Sequence, residues 1–169
     1  MLRLAVPVNA AASKVAALSL AVLCSARLML GPLAAAAPAT GLRIESPMVR
    51  ETLPGQTAGS AYLVIHNESD VVRRLLGAAT PVAREIQIHD MSLRDGIMRM
   101  RQVTEGVAIP AHGKLAFVAG GLHLMLVGLH APLSVGGDVP LTLRFDRGGE
   151  LTIPMRIVSI DDTTSQPKK

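Results

Sequence analysis

The sequence predicts an all-β protein, folded as a β-sandwich or a Greek-key barrel of the immunoglobulin-like or cupredoxin-like type. From Gly41 onward, the apolar residues recur with a period of two rather than 3.6. The apolar stretches are short, and residues that tolerate tight turns separate them. No stretch of helical periodicity exceeds about two turns, which favours strands packed in two layers or closed into a barrel.

Each predicted strand is an apolar run that ends at a turn signal. In chain order the turn signals are Pro54-Gly55, Asn67-Glu68-Ser69-Asp70, Arg94-Asp95-Gly96, Pro110-Ala111-His112-Gly113, Gly120-Gly121, Gly136-Gly137-Asp138 and Arg147-Gly148-Gly149. The strands are predicted over Arg43–Arg50, Gly59–Asn67, Val71–Ala79, Glu85–Met91, Ile97–Gln102, Lys114–Val118, His123–Leu126, Pro140–Asp146 and Glu150–Ser159. They form one β-barrel domain over residues 40–160, and a disordered polar tail is predicted over 161–169.

Residues 1–39 are predicted to be a secretory signal peptide, which directs the protein to the periplasm. They contain the basic residues Arg3 and Lys14 and an apolar run over 15–23. A following run of small residues predicts cleavage near Ala36 or Ala39.

Neither a membrane span nor a lipid anchor is expected for this leader. The apolar run is shorter than the roughly 20 residues of a span, and Arg27 interrupts its continuation. Cys24 is the only cysteine, but Leu23 precedes it where a lipoprotein signal has a small residue. The mature domain then has no cysteine, and therefore no disulfide, no thiolate nucleophile and no thiolate metal site.

Charge and composition exclude nucleic acid as a partner. Loss of the leader, with its three basic residues, lowers the formal net charge from +4 to +1. The domain has no run of Lys or Arg, and aromatic side chains that could stack on bases are scarce. No enzyme is expected either, because the sequence has no Gly-x-Ser-x-Gly, no His-Glu-x-x-His, no phosphate-cradling glycine loop and no recognisable carboxylate pair.

Two His-x-Met motifs carry the predicted chemistry. They are His89-Asp90-Met91 and His123-Leu124-Met125, and residues i and i+2 of a strand project from one face about 6.5 to 7 Å apart. Each motif therefore offers an imidazole beside a thioether. The turn at 94–96 would fold the next strand back beside the first motif and add Met100, with Met98 on the same face. The predicted metal ligands are His89, Met91, Met100, His123 and Met125.

These donors favour Cu(I) as the metal. Thioether sulfur is soft and imidazole is borderline, a combination that suits Cu(I) far better than Mg²⁺, Ca²⁺ or Mn²⁺, whereas zinc usually takes Cys, His or carboxylate. In an oxidising compartment thioethers do not crosslink, and they bind without deprotonation. A blue-copper electron-transfer site is disfavoured because its His₂Cys core needs a cysteine that the mature domain lacks.

The remaining methionines and histidines of the domain have simpler explanations. Three methionines are predicted to fill gaps in the core: Met48, Met98 and Met155. Three histidines are predicted to be solvent-facing turn residues: His66, His112 and His130. Met98 and His112 stay open as additional ligands, because Met98 shares a face with Met100 and because turns often carry function.

Six segments of the chain together resemble one known family. They are Ala61–Asn67, His89–Met91, Gly96–Met100, Ile109–Ala111, Gly120–Leu126 and Pro140–Phe145. Across essentially the whole mature domain the sequence resembles the periplasmic copper chaperones called PCuAC proteins. That family's motif is a His, often with a Met nearby, then ten residues, a Met, about twenty-one more residues and a closing His-x-Met.

The resemblance assigns the motif residue by residue. His89 is the first His, Met91 takes the optional place, Met100 follows after ten residues, and His123 with Met125 closes the motif. Between Met100 and His123 there are twenty-two residues rather than twenty-one. We expect a turn at 104–106 to absorb the extra residue without moving the flanking strands.

The resemblance implies a cupredoxin-like β-barrel that hands Cu(I) to the copper centre of a respiratory cytochrome c oxidase. The implied partners are the copper-site subunit of that oxidase and a Sco-type thiol protein. Residues 161–169 contain neither His nor Met, so the auxiliary copper site that some relatives carry in a C-terminal extension is not expected. Two other functions stay open: periplasmic copper storage or detoxification, and a secreted sandwich that binds protein partners without metal.

Overall fold

The computed structural model of the protein describes residues 41–147 and 149–162. The predicted leader and the tail from residue 163 onward lie outside the described residues, so both stay predictions. Asp161 and Asp162, the first residues of the predicted tail, follow the last strand in a turn in which the Asp162 N–H donates to the Ser159 carbonyl. In the described part of the chain, no helix has the length and apolar character needed to cross a membrane.

Ten β-strands and their connections make up the described residues, which confirms the predicted all-β class. The strands are β1 Leu42–Arg50, β2 Ala58–Asn67, β3 Arg73–Ala79, β4 Ala83–Arg94, β5 Ile97–Gln102, β6 Val107–Ile109, β7 Lys114–Phe117, β8 His123–Leu129, β9 Asp138–Phe145 and β10 Glu150–Val158. Nine of them lie where the alternation of apolar residues predicts a strand, with ends that differ by three residues or fewer. Only β6 has no predicted counterpart.

The strands form one sheet in the order β5-β4-β8-β2-β1-β10-β9-β3-β6. The first half of β2 pairs with β8 and the second half with β7. Strands β1 and β10 run parallel, and the other pairs are antiparallel. The sheet folds back on itself, so that β3 lies against β4 and β6 lies near β2 and β7. The predicted cupredoxin-like sandwich is confirmed.

The hydrophobic core lies on one face of the folded sheet. Ala61, Leu63 and Ile65 of β2 and Leu124 and Leu126 of β8 are fully buried there. Because side chains of a strand alternate between faces, the residues between these positions project to the opposite face. The core side chains are mostly Leu, Ile, Val and Ala with two Phe, as the composition of the sequence predicts.

The methionines outside the His-x-Met motifs divide between core and surface. Met48 and Met155 are 6% and 0% exposed, which agrees with their predicted role as core residues. Met98 is 53% exposed, so the prediction that it fills the core is wrong. The physical reason is that every residue of β5 is exposed, since this edge strand extends past the core.

Asn67 joins three segments of chain at the end of β2. Its side chain is only 1% exposed. The amide nitrogen shares its two hydrogens among the carbonyls of Val71 at 2.8 Å, Ile109 at 3.1 Å and Pro110 at 2.9 Å. The amide oxygen accepts from the backbone N–H of Ser69 at 3.2 Å and from its hydroxyl at 2.7 Å. One buried side chain thereby satisfies backbone groups of the loop after β2 and of the end of β6.

Candidate metal centre

The predicted ligands lie on three neighbouring strands, β5, β4 and β8. The turn at residues 95–96 folds β5 back on β4 and places Met100 directly opposite Met91. On the other side of β4, His123 of β8 lies directly opposite His89. Directly opposite residues in antiparallel strands have Cβ atoms about 4.5 to 5.5 Å apart, so their side chains meet.

All five predicted ligands project from the face of the sheet that points away from the core. Ile88 and Leu124 are core residues of β4 and β8, so the odd-numbered residues of both strands face the other way. Met125 lies one pleat along β8 from His123, opposite Gln87. The structure thus brings together the side chains of His89, Met91, Met100, His123 and Met125 on one surface.

The two imidazoles are in direct contact. The ring centroids of His89 and His123 are 5.7 Å apart, and the ring planes make an angle of 74°. His123 is 4% exposed and His89 is half-buried. The side chain of Met100 is 51% exposed at the hairpin, so the cluster is closed on its β8 side and open on its β5 side.

The carbonyl of Gly121 orients His123. It accepts a hydrogen bond from Nδ1 of His123 at 2.9 Å and another from the backbone N–H of Met91 at 3.2 Å. A carbonyl only accepts, so Nδ1 carries the proton and the neutral ring keeps its lone pair on Nε2. Outer-sphere hydrogen bonds of this kind set which nitrogen of a histidine binds a metal.

Both nitrogens of His89 have side-chain neighbours. Nδ1 lies 2.9 Å from the sulfur of Met100, and Nε2 lies 2.9 Å from Oε1 of Gln87. Partial burial lowers the pKa of His89 below its ordinary value, and the positive charge of a protonated His123 lowers that pKa further. Because the neutral form is favoured, the ring is available as a metal ligand at neutral pH.

The three other histidines of the domain lie apart from this cluster. His66 is the next-to-last residue of β2, with a partly exposed side chain whose Nε2 lies 2.7 Å from Glu45, so the prediction that it is a turn residue is wrong. His112 has a positive φ of 50° in the turn after β6 and pairs with Asp70 at 2.8 Å. That turn lies beside the Asn67 end of β2, about 20 Å along the strand from the cluster. His130 is exposed after β8.

Gln87 and Gly121 contact the histidines but are absent from the predicted site. Gln87 is two residues before His89, and the same i, i+2 rule that groups the ligands also puts it on their face. The Gly120-Gly121 pair signals only a turn, and nothing in the sequence shows that its carbonyl points at His123.

The chemistry of the cluster depends on sulfur. Among residues 41–147 and 149–162, no group of three or more His, Cys, Asp or Glu side chains is placed to hold a metal ion. Two imidazoles alone are a poor site for zinc, which usually has four ligands in structural sites and three in catalytic ones. With thioethers added, the donor set suits a soft monovalent ion.

Comparison with known proteins identifies the family. Residues 42–157 match the family model described as "Putative lipoprotein LpqE-like". One relative, "Putative lipoprotein Lxx21020" of Leifsonia xyli subsp. xyli (strain CTCB07), is 33% identical over 110 residues, and the match spans 65% of each chain.

Solved structures resemble the same domain. The copper-bound PCuAC domain from PmoF2 is 26% identical with a TM-score of 0.60, over 70% of this chain and 93% of that one. The solution structure of CuI-DR1885 from Deinococcus radiodurans is 33% identical with a TM-score of 0.54, over 73% of this chain and 80% of that one. The chain therefore belongs to the LpqE-like family, and its predicted membership of the PCuAC family is confirmed.

Proposed function

We propose that this protein is an exported chaperone for Cu(I). His89, Met100, His123 and Met125 hold the ion, and Met91 is a further donor. The observation that carries the proposal is the convergence of two imidazoles and three thioethers on one face of three adjacent strands. Two solved relatives are described as copper-bound and CuI forms, which supports the same cargo here.

The exposure of the donors suits a site that gives its ion away. Met100 is more than half exposed, whereas His123 is almost fully buried. An incoming thiolate therefore reaches the ion from the side of Met100 and displaces this thioether first. Thiolate binds Cu(I) more strongly than thioether does, so stepwise exchange runs toward the acceptor. The histidine of β8 is the last ligand to leave.

For the destination we propose the copper centre of a respiratory cytochrome c oxidase, with a Sco-type thiol protein as a second partner. Export to the periplasm rests on the predicted leader. The family and one relative are described as putative lipoproteins, yet Leu23 before Cys24 disfavours lipidation of this chain. The mass of the mature protein distinguishes cleavage near Ala36 or Ala39 from acylation of Cys24.

A metal count and X-ray absorption on the mature protein loaded with Cu(I) without oxygen test the proposal. We expect one copper per chain, with both nitrogen and sulfur neighbours. A protein without stoichiometric copper would instead be the metal-free partner-binding sandwich. A strain that lacks the protein separates chaperone from storage: oxidase activity under copper limitation falls if the protein delivers copper and stays normal if it stores copper.

The affinity for Cu(I) should depend on pH through the imidazoles. Protons compete with copper for the ring nitrogen of His89, so affinity falls as pH drops through the pKa of this histidine. Because the pKa of His89 is lowered, its proton competes less, and its share of the loss should begin below the ordinary histidine value of about 6.5. Competition titrations from neutral to acidic pH measure this dependence, and a loss centred above that value would contradict it.

A further inference from the structure

We propose that Gln87 is a positioning residue for the copper site. It holds His89 in the tautomer that carries its proton on Nε2, so that His89 binds Cu(I) through Nδ1 while His123 binds through Nε2. The statement about which nitrogen binds Cu(I) rests on the proposed copper function. The tautomer of His89, in contrast, is a property of the protein without metal.

The orientation of the Gln87 amide follows from its other neighbour. The amide nitrogen of Gln87 donates to Oε1 of Glu85 at 3.1 Å. A carboxylate only accepts hydrogen bonds, so the NH₂ group has to face Glu85 and the amide oxygen has to face His89. Glu85, Gln87 and His89 alternate along β4 and share one face, which keeps this row of side chains in line.

The amide oxygen then selects the tautomer of His89. It lies 2.9 Å from Nε2 and only accepts, so Nε2 carries the proton. Nδ1 is left with a lone pair, 2.9 Å from the sulfur of Met100, which has no hydrogen to donate. Two lone-pair donors from adjacent strands therefore lie next to each other, and one soft cation can accept both.

The opposite histidine has the complementary arrangement. The Gly121 carbonyl holds the proton of His123 on Nδ1 and leaves Nε2 free. His89 and His123 therefore present different nitrogens although they belong to identical His-x-Met motifs. The carbonyl that orients His123 belongs to the backbone and cannot be substituted, whereas the side chain that orients His89 can be.

Nitrogen-15 NMR of the imidazoles tests the tautomers in the mature protein, before and after Cu(I) is added. We expect His89 to carry its proton on Nε2 and His123 on Nδ1 without metal, with the unprotonated nitrogen of each ring shifting when Cu(I) binds. A proton on Nδ1 of His89 in the protein without metal, or coordination of His89 through Nε2, would overturn the inference and leave the copper function standing. If no Cu(I) binds at all, the copper function fails, and the metal-free spectrum still decides the tautomer.

Substitutions of Gln87 test whether its side chain orients His89 or only stabilises the fold. Gln87→Leu removes the acceptor and should lower the affinity for Cu(I) by about 10 to 100-fold, the usual effect of losing a hydrogen bond to a metal-binding histidine. Gln87→Glu keeps an acceptor and should retain the tautomer of His89. The matched control is Gln102→Leu, since Gln102 lies opposite His89 on β5 and its side chain makes no hydrogen bond within the described residues.

Equal affinities for the Gln87→Leu and Gln102→Leu proteins, with the His89 spectrum unchanged, would overturn the positioning role. Should the Gln87→Leu protein not fold, the spectra of the unsubstituted and Gln87→Glu proteins carry the test.

Discussion

Replacing Met100 and Met125 together by leucine is expected to lower the affinity for Cu(I) by about 100-fold or more, because loss of a ligand costs at least as much as loss of a supporting contact. Leucine has a similar volume and no sulfur donor. Both residues project from the face opposite the core, and Met100 is half exposed, so little packing is lost. Competition titration with a Cu(I) chelator measures the affinity, and circular dichroism checks the fold.

The matched control is the double substitution Met48→Leu and Met155→Leu. It removes the same number of sulfurs from two buried positions. We expect its affinity for Cu(I) to stay unchanged, while its stability falls by less than about 1.5 kcal/mol per site. If the protein with leucine at positions 100 and 125 binds Cu(I) as tightly as the control protein, the sulfurs of Met100 and Met125 are not ligands.

Asn67→Asp is expected to lower the free energy of unfolding by about 3 kcal/mol or more at neutral pH, since it leaves several buried acceptors without a donor and buries a charge. The two side chains have nearly the same shape, so no cavity forms. The carboxylate still accepts from Ser69, but it cannot donate to the carbonyls of Val71, Ile109 and Pro110 that the amide now satisfies. Those carbonyls then face a negative oxygen.

Urea unfolding of the Asn67→Asp protein measures this loss. Gln102→Glu is the control, because it makes the same amide-to-acid change at an exposed position and should shift stability by no more than about 0.5 kcal/mol. A loss below about 1 kcal/mol for Asn67→Asp would contradict the role of this side chain. In the folded variant the affinity for Cu(I) should match that of the unsubstituted protein, since Asn67 lies at the far end of β2 from the cluster.

The parts of the fold that are predictable from sequence are those in which burial alternates along a strand. The run from Ala61 to Ile65 and the run from His123 to Leu126 both pack one face on the core, and their predicted positions are confirmed. Strand β6 has only three residues, too few for a period to be recognised. Strand β4 continues three residues past the predicted end at Met91, because residues 92–94 pair with β5 rather than pack on the core.

For the candidate site too, the features that depend on local strand geometry are predictable, and those that depend on strand pairing are not. Spacing within a strand groups His89 with Met91 and His123 with Met125, because the i, i+2 geometry of a strand is local. The direct contact between the two histidines depends on β4 and β8 being neighbours, and no local pattern reveals that pairing. The exposed position of Met98 was not predictable for a related reason. A single methionine gives the same sequence signal in a core strand as on an exposed edge strand.

Within residues 41–147 and 149–162, strand β5 pairs with β4 alone, and all six of its residues are exposed. Edge segments with few buried contacts open at far smaller free energies than the whole domain does. In the proposed site Met100 is the one donor on this strand, so fraying of the hairpin would subtract a single thioether while the two histidines and Met125 stay in register. The lability of the bound ion would then depend on the stability of the hairpin, which could vary in evolution without any change in the stability of the sandwich.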